Sequence, residues 1–387
     1  MENKAKKPLE LYIHVPFCVK KCDYCDFLSG PAGKERQAEY FQALQREVAS
    51  VPDFPDREIT TVFIGGGTPS VPDPALIGAV LDQIRNKFFM APDAEITIEA
   101  NPGTLYKEKL EDYLEHGVNR LSLGLQSPQN RELKILGRIH TWEEFLESFS
   151  LAREAGFSNI NIDLMSAIPD QTYEDWKKNL CTVAALGPEH ISAYSLIVEE
   201  GTPFAAMAER GELPLPEEET ERAMYEETIE VLAKYGFHRY EISNYARDGY
   251  ECRHNVGYWI RRDYLGFGIG AASLIDNVRF QNEKSLGAYL AHPLESREEE
   301  QTLTVQDRME ETMFLGLRLT RGVSCVDFAE QYGRTVEEVY GEVIARNVAD
   351  GLLTVTEGKE NQKKDRFLAL TKRGLDLSNY VMAQFLF

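Results

Sequence analysis

Cysteine is scarce in this sequence of 387 residues: there are six, and three of them lie between Cys18 and Cys25. A disulfide within that group would leave the third thiol unpaired. The sequence also lacks an apolar run long enough to span a bilayer, and its N-terminal stretch MENKAKKPLELYIHV lacks the apolar core of a secretory signal. We therefore expect a cytoplasmic protein with no transmembrane segment, for which peripheral membrane contact stays open. Its thiols would be reduced and better suited to metal than to disulfides.

Basic residues are also in short supply, since 42 Lys plus Arg stand against 63 Asp plus Glu and the net charge is −21. That much negative charge repels phosphate backbones, so we expect no nucleic-acid partner. In other respects the composition, with 43% hydrophobic and 27% charged residues, is that of an ordinary globular protein. Its length predicts two or three domains with a large core.

The clustered thiols, Cys18, Cys22 and Cys25, form a C-x3-C-x2-C pattern directly after an apolar segment. Structural zinc usually takes four ligands, commonly as two separated pairs. The sequence has no second C-x2-C or H-x3-H pair downstream, and only His14 offers a nearby fourth ligand. Three thiolates can instead hold a cubane iron–sulfur cluster and leave one iron free for an exchangeable ligand. The spacing favours a cluster, while zinc and inert thiols remain open alternatives.

Short β-rich segments alternate with helix-like segments along the first two thirds of the chain. Strands are predicted at 11–15, 61–65, 95–99, 121–125, 160–164 and 191–196, and helices at about 34–50, 74–88, 105–116, 129–155, 173–186 and 217–235. This alternation predicts an α/β fold in which helices wrap a parallel sheet, and right-handed crossovers would curl the sheet toward a barrel. Because six units fall short of the eight in a closed TIM barrel, we predict a partial, open (β/α)6 barrel.

The segment HPLESREEEQTLT, residues 292–304, marks a change from apolar periodicity to charge. We place there the boundary between a first domain, residues 1–300, and a second domain, residues 301–387. Three helices, a hairpin and a closing helix are predicted beyond it, an order typical of a winged helix. Residues 303–387 contain 11 Lys plus Arg and 13 Asp plus Glu, a net charge of −2, so DNA binding is not expected.

Polar or glycine-rich residues stand where the predicted strands end. The first strand leads into the Cys18 loop, the second leads into GGGTPS at 65–70, and the next three end at Glu99, Gln126 and Asp163. One such residue is expected in any solvated loop. Five in order along the same edge of a barrel predict one functional site, because such folds have their chemistry at the carboxyl ends of their strands.

Several of these segments together carry a family resemblance. The segments YIHVPFC, GGGTPS, IEANPGT, LSLGLQS and NIDLMSAIP, with Tyr24 just before the last clustered cysteine, resemble the radical S-adenosylmethionine (SAM) superfamily. They resemble in particular its branch of oxygen-independent coproporphyrinogen III oxidases and haem chaperones. The match runs from about Leu11 to Ala272 and more loosely to the C-terminus.

The resemblance implies that the three clustered cysteines ligate a [4Fe–4S] cluster and that SAM chelates its free iron. By motif, Tyr12 would lie beside SAM and the Tyr24 backbone near its adenine, while glycine would let the backbone come close to the methionyl group. Glu99 would accept a charge-assisted hydrogen bond from the ribose or the amino group of SAM. Gln126, Arg138 and Asp163 match positions around a second SAM in the oxidases. The whole set is Tyr12, Tyr24, Gly66, Gly67, Thr68, Glu99, Gln126, Arg138 and Asp163.

Phe27 separates the two branches of the family. The oxidases carry a fourth cysteine at this place, in the pattern C-x3-C-x2-C-x-C, whereas here Asp26 is followed by Phe27. The missing fourth thiol indicates the chaperone branch. Coproporphyrinogen III oxidase activity is therefore not expected.

The segment CRHNVGYW, residues 252–259, resembles the HNxxYW motif of the haem chaperones and implies haem as a ligand. Haem binding needs an axial ligand and an apolar wall for the porphyrin face. His254 would supply the ligand, with Cys252 as the alternative, and Tyr258 and Trp259 would supply the wall beside Asn255.

The sequence therefore predicts a haem chaperone that binds haem and a [4Fe–4S] cluster with SAM, and that delivers haem to acceptor proteins. The alternative is an oxygen-independent coproporphyrinogen III oxidase, which carries out a radical oxidative decarboxylation. Whether SAM is cleaved, whether a second SAM binds and which protein accepts the haem stay open at this point.

Overall fold

The computed structural model describes residues 6–294, 297–360 and 363–387. Six parallel strands in chain order form the centre of a twelve-stranded sheet. They are β1 Lys7–Val15, β2 Arg57–Gly66, β3 Met90–Ala100, β4 Arg120–Gln126, β5 Ile160–Ser166 and β6 His190–Ser195. Their side chains are mostly buried, as expected for parallel strands covered by helices. The predicted strands and the predicted parallel α/β fold are confirmed.

Helices follow each of these strands. They are α1 Lys34–Ser50, α2 Pro74–Lys87, α3 Lys107–Glu115, α4 Asn130–Ile135, α5 Trp142–Ala155, α6 Tyr173–Ala184, α7 Pro203–Glu209 and α8 Glu218–Lys234. The prediction of one helix over 129–155 is wrong, because α4 and α5 are separate. Gly137 turns the backbone between them with φ 71°, and Thr141 and Glu144 form a capping box that starts α5.

Further strands extend the sheet at both edges. After β6 the chain forms β7 His238–Arg239 and β8 Asn244–Ala246, followed by α9 Arg253–Trp259. Strand β8 lies antiparallel to β6, and β7 lies antiparallel to β8 at the edge. On the other side, β9 Tyr264–Phe267 runs parallel to β1. Antiparallel strands continue this side: β10 Ala272–Ile275, β11 Val278–Asn282 and β12 Arg297–Thr302, with α10 Leu286–Ala291 before the last. Within the described ranges β7 and β12 end the sheet without pairing with each other, which agrees with an open barrel.

The C-terminal region contains α11 Val305–Gly316, β13 Val323–Ser324, α12 Cys325–Tyr332, α13 Val336–Ala349, β14 Leu353–Glu360, β15 Lys363–Leu370, α14 Lys372–Asp376 and α15 Ser378–Ala383. Three helices and a hairpin thus follow one another in the predicted winged-helix order, and the predicted closing helix is two short ones. The turn of the hairpin lies outside the described residues. Strands β13, β15 and β14 form a separate antiparallel sheet.

Two large hydrophobic cores lie in different parts of the chain. Buried residues between Leu9 and Tyr289 form one, and buried residues between Met309 and Phe385 form the other. The division at 300/301 stays a prediction, and part of the proposed boundary segment, residues 295–296, lies outside the described residues. Where the structure describes the chain, no helix combines the length and the apolar character needed to cross a membrane.

Candidate functional site

A cavity of about 570 Å³ lies at the carboxyl ends of the parallel strands. Its lining comes from the loop after β1, from β2 through β6 and the segment after β6, from the turn between α4 and α5, and from β8 and α9. The structure therefore brings together all three predicted cluster ligands and, except for Tyr12, every predicted SAM contact. The predicted residues that line it are Cys18, Cys22, Cys25, Tyr24, Gly66, Gly67, Thr68, Glu99, Gln126, Arg138, Asp163 and Asn255.

Backbone hydrogen bonds hold the loop that carries the three cysteines. Cys18 N donates to the Gly30 carbonyl at 3.0 Å, and Asp23 N donates to the Leu136 carbonyl at 3.2 Å. These bonds fix the start of the loop and anchor its middle against the end of α4. The three thiols are free of disulfides and partly exposed toward the same cavity.

Two side chains donate hydrogen bonds to sulfur in this loop. Thr68 Oγ1 lies 3.4 Å from Cys18 Sγ, and Arg138 Nη1 lies 3.6 Å from Cys22 Sγ. Hydrogen bonds to the ligand sulfurs are among the features by which proteins tune iron–sulfur clusters. Three thiols on one cavity with two such donors fit a cluster of the predicted kind.

The glycines after β2 are required by contacts within the protein. A Cβ on Gly66, whose φ is 111°, would overlap the His14 ring, and a Cβ on Gly67 would lie 2.9 Å from the Phe17 backbone. A Cβ on Gly65 would lie 3.0 Å from Glu99 Oε2. Glycine is therefore needed here for the close packing of the β2 end against the cluster loop and Glu99, in addition to its predicted approach to a ligand.

Two partly buried carboxyl groups face the cavity from β3 and β5, the strands on either side of β4. Glu99 Oε2 accepts a hydrogen bond from Gly66 N at 3.1 Å, and Asp163 Oδ1 accepts one from Asn161 Nδ2 at 2.7 Å. Burial, followed by the charge of Asp163, raises the pKa of Glu99 to about 7. Burial also raises the pKa of Asp163. Two acceptors of this kind suit the amino and hydroxyl donors of a polar ligand.

Arg138 enters the cavity because the chain leaves the helical conformation between α4 and α5. Its Nη2 donates to Asn101 Oδ1 at 2.8 Å and to the Gly124 carbonyl. Gln126, at the end of β4, has φ 72°, a left-handed conformation that is uncommon without glycine. Its Oε1 accepts a hydrogen bond from the Tyr194 hydroxyl at 2.9 Å. Such backbone outliers cluster at binding sites.

Tyr12 is not among the residues that line this cavity. Its hydroxyl lies 3.1 Å from His14 Nδ1, and its ring stacks on Phe63, with centroids 6.4 Å apart. Phe63 is the residue that faces the cavity. A contact between Tyr12 and SAM stays a prediction.

The predicted haem motif forms the short helix α9, and its His254 is enclosed. This residue is 1% exposed, and its Nδ1 and Nε2 lie 2.7 Å from Thr61 Oγ1 and 3.0 Å from the Tyr258 hydroxyl. Burial lowers the pKa of His254 to about 3, so the imidazole is neutral. Because both ring nitrogens have partners, axial ligation of haem would require the ring to leave them.

The other members of the motif lie on different sides of α9. Cys252 is 0% exposed, and burial raises the pKa of its thiol to about 12, which disfavours the ligating thiolate in this conformation. Tyr258 and Trp259 line a second cavity of about 460 Å³, whereas Asn255 lines the first.

Phe63, Asn101 and Tyr194 line the first cavity and were missed by the sequence reasoning. Asn101 directly follows Glu99 and Ala100 in a segment that the resemblance already singled out. Tyr194 lies in β6, a predicted strand to which no site residue was assigned. The sequence did not indicate a site role for Phe63, because an aromatic residue inside an apolar strand is typical of a hydrophobic core.

Comparisons with known proteins find similar sequences over both regions of the chain. The model of the radical SAM superfamily matches residues 12–180, and that of the HemN C-terminal domain matches residues 303–377. The chain is 37% identical over 383 residues to heme chaperone HemW of Bacillus subtilis (strain 168), covering 97% of this chain and 98% of that protein. It is 37% identical over 357 residues to heme chaperone HemW of Escherichia coli (strain K12), covering 90% and 92%.

A solved structure has the same architecture. The structure of coproporphyrinogen III oxidase (HemN) from Escherichia coli, described as a radical SAM enzyme, aligns with a TM-score of 0.83 at 25% sequence identity. The alignment covers 99% of this chain and 91% of that one. The predicted fold is therefore confirmed across both regions of the chain.

Proposed function

This chain belongs to the radical SAM superfamily and, within it, to the HemW family of haem chaperones, and we propose that it binds haem and delivers it to acceptor proteins. The observation that carries the proposal is a sequence identity that extends over nearly the whole of this chain and nearly the whole of its HemW relative from Bacillus subtilis. Phe27 supports it, because the oxidases have their fourth cysteine at that place.

We propose that Cys18, Cys22 and Cys25 hold a [4Fe–4S] cluster with SAM at its free iron. When bound, that cluster can supply one electron to SAM. Thr68 and Arg138 stabilise the thiolates by their hydrogen bonds to sulfur. The chemistry of this donor set supports the assignment, since soft thiolates select iron–sulfur clusters.

Carboxylate and amide groups around the cavity are the proposed contacts of SAM. Glu99 accepts a hydrogen bond from its amino or ribose group, and the Gly66–Thr68 backbone lies along its methionyl part. Gln126, Arg138 and Asp163 are the proposed contacts of a second SAM.

We propose that haem binds along α9, with Tyr258 and Trp259 as its aromatic wall. His254 is the proposed axial ligand and Cys252 is its alternative. Either assignment requires α9 to rearrange, because both side chains are enclosed and His254 is hydrogen-bonded at both ring nitrogens. We further propose that the protein acts in the cytoplasm, where its cluster thiols stay reduced.

Coproporphyrinogen III oxidase activity is the second candidate function. It is favoured by the structural likeness to HemN and by a cavity at the carboxyl ends of the strands that could receive a substrate. Phe27 argues against this activity, because the oxidases carry their fourth cysteine at that place.

A haem titration tests the proposed function directly. Ferric haem added to the purified protein is expected to give a saturable shift of the Soret band. Trp259→Ala is expected to weaken binding by about 1–3 kcal/mol through loss of aromatic burial. A wild-type protein whose addition leaves the haem spectrum unchanged would overturn the proposal.

A further inference from the structure

The short helix of the haem motif, α9, is bordered by three cavities. Asn255 lines the first cavity, and Tyr258 and Trp259 line the second. Arg253 and Val256 line a third cavity of about 460 Å³. A wall atom that faces open space lacks the packing contacts that hold a buried helix in place. The outer sides of α9 therefore contribute little to fixing its position.

The other two residues of α9 form its inner face, which packs on the sheet. His254 and Gly257 lie about one turn apart, and both are buried. His254 contacts Thr61 of β2, and a Cβ on Gly257 would overlap the carboxyl group of Glu10 in β1. The helix thus docks on β1 and β2 with the proposed axial ligand turned inward.

Glu95 of β3 holds the start of α9 against the sheet. Its Oε2 accepts a hydrogen bond from Arg253 N at 3.3 Å, and its Oε1 accepts one from His254 N at 3.2 Å. The Cys252 thiol donates to the same Oε1 at 3.7 Å. Glu95 is 6% exposed, and hydrogen bonds to a carboxylate away from water are among the stronger ones in proteins. One side chain from β3 therefore bonds three consecutive residues of the haem motif.

The hydrogen bonds to Glu95 and the enclosure of His254 belong to the same conformation of the chain. Two of the three donors are backbone groups, so the bonds restrain the segment itself and not only its side chains. One of these donors is the amide of His254. Turning α9 far enough to present the His254 ring to one of the cavities would therefore break the bonds to Glu95.

We propose that Glu95 is a positioning residue of the haem site: it holds α9 closed over His254, and haem binding breaks its hydrogen bonds. The inference rests on the proposed function and adds to it the residue that opposes haem entry. It holds for either proposed ligand, since Cys252 donates to the same carboxyl group.

A closed resting conformation has a measurable consequence for haem affinity. When only a fraction of the protein is open, the apparent affinity for haem is reduced by that fraction. Weakening the contacts of Glu95 raises the open fraction and therefore raises haem affinity. Loss of a contact that only supports the bound structure would lower haem affinity instead.

The test compares two buried glutamates by following the Soret band during haem titration and during rapid mixing with haem. Glu95→Gln keeps the size of the side chain but loses its charge, so it is expected to bind haem faster and about 10-fold more tightly than wild type. Glu47→Gln is the matched control, because Glu47 is 7% exposed, accepts hydrogen bonds from Asn282 and Tyr289 and lines none of the three cavities. Its haem affinity is expected to stay within about 2-fold of wild type, since distant sites act independently.

Hydrogen exchange of wild type gives a second measurement, which needs no substitution. Haem addition is expected to speed exchange at the amides of Arg253 and His254, because their bonds to Glu95 are broken in the haem complex. Slower or unchanged exchange at both amides would overturn the proposal.

The outcomes separate the positioning role from the function. Equal or weaker haem binding by folded Glu95→Gln, beside a wild type that binds haem, would overturn the role of Glu95 while the chaperone function stands. Wild type that binds no haem would overturn the function and the positioning role together.

Discussion

Phe63 separates the cluster cavity from His254: the two rings stack with centroids 5.1 Å apart and planes at 25°. Phe63 faces the cavity, while His254 lies behind it against Thr61 and Tyr258. The predicted haem motif thus packs directly behind the wall of the first cavity.

The first prediction concerns the role of His254. If it ligates haem iron, His254→Ala removes the Soret shift, and His254→Gln does not restore it. A glutamine can still hydrogen-bond to Tyr258 and Thr61, so recovery of the wild-type spectrum in His254→Gln would show a positioning role only. Cys252→Ala measured beside it is expected to keep the shift. If Cys252→Ala alone loses the shift, the cysteine is the ligand.

The second prediction concerns the cluster. Anaerobic reconstitution is expected to give about four irons per chain, as a three-thiolate cubane cluster requires. Cys18→Ala, Cys22→Ala and Cys25→Ala together should abolish iron binding and the visible thiolate-to-iron absorption. Cys181→Ala, a cysteine on α6 outside the cavity, is the control that should load normally. Full iron content in the triple variant would refute the ligand assignment.

The third prediction concerns Glu99 and pH. The pKa of this carboxyl is about 7, raised first by burial and then by Asp163, so the group is ionised above that pH and protonated below it. If the charged form accepts hydrogen bonds from SAM, the affinity for SAM should fall as the pH is lowered through 7. Glu99→Gln should reduce affinity by roughly 1.5–3 kcal/mol at high pH and flatten this dependence.

Calorimetry measures the SAM affinity of cluster-loaded wild type and of cluster-loaded Glu99→Gln at pH values above and below this pKa. The iron content of Glu99→Gln should match wild type. Wild-type SAM affinity in this variant would exclude Glu99 from the contact.

The fourth prediction concerns the buried carboxyl of Glu10. It lies 3.5 Å from Arg262 Nη1 and 3.8 Å from His254 Nδ1, and burial raises its pKa to about 8 against the opposing charge of Arg262. The folded protein therefore binds this proton more tightly than the unfolded chain. The corresponding stability is complete below the ordinary glutamate pKa and is lost as the pH rises toward 8.

Urea unfolding at about pH 5 and about pH 8 measures this contribution. Glu10→Gln should show a smaller decrease in unfolding free energy between the two conditions than wild type, by roughly 1 kcal/mol or more. An identical decrease in both proteins would mean that Glu10 does not titrate in this range.

The sheet and the composition of the cluster site were predictable because both follow from local patterns. Apolar strands that end in polar residues place Glu99, Gln126 and Asp163 at one edge once the strands are parallel. The break at Gly137 was missed because the segments on either side both have helical periodicity, and only the φ of the glycine and the Thr141 cap separate them.

The surroundings of α9 could not be read from the sequence. The motif contains His254, Tyr258 and Trp259, but a sequence pattern this short does not predict which of the three side chains is buried. His254 is buried because β2 supplies Thr61 and Phe63 from far along the chain. Arg261 likewise depends on Glu311, a residue of the C-terminal region. Such contacts are set by tertiary packing and leave no periodic signal.

The most direct test of the chaperone assignment is product analysis on one cluster-loaded preparation of this protein. It is incubated anaerobically with SAM, a low-potential reductant and coproporphyrinogen III, while a second portion is titrated with haem. The account predicts saturable haem binding and no protoporphyrinogen IX, since Phe27 stands where the oxidases carry their fourth cysteine. Repeated turnover of coproporphyrinogen III to protoporphyrinogen IX, without haem binding, would contradict it.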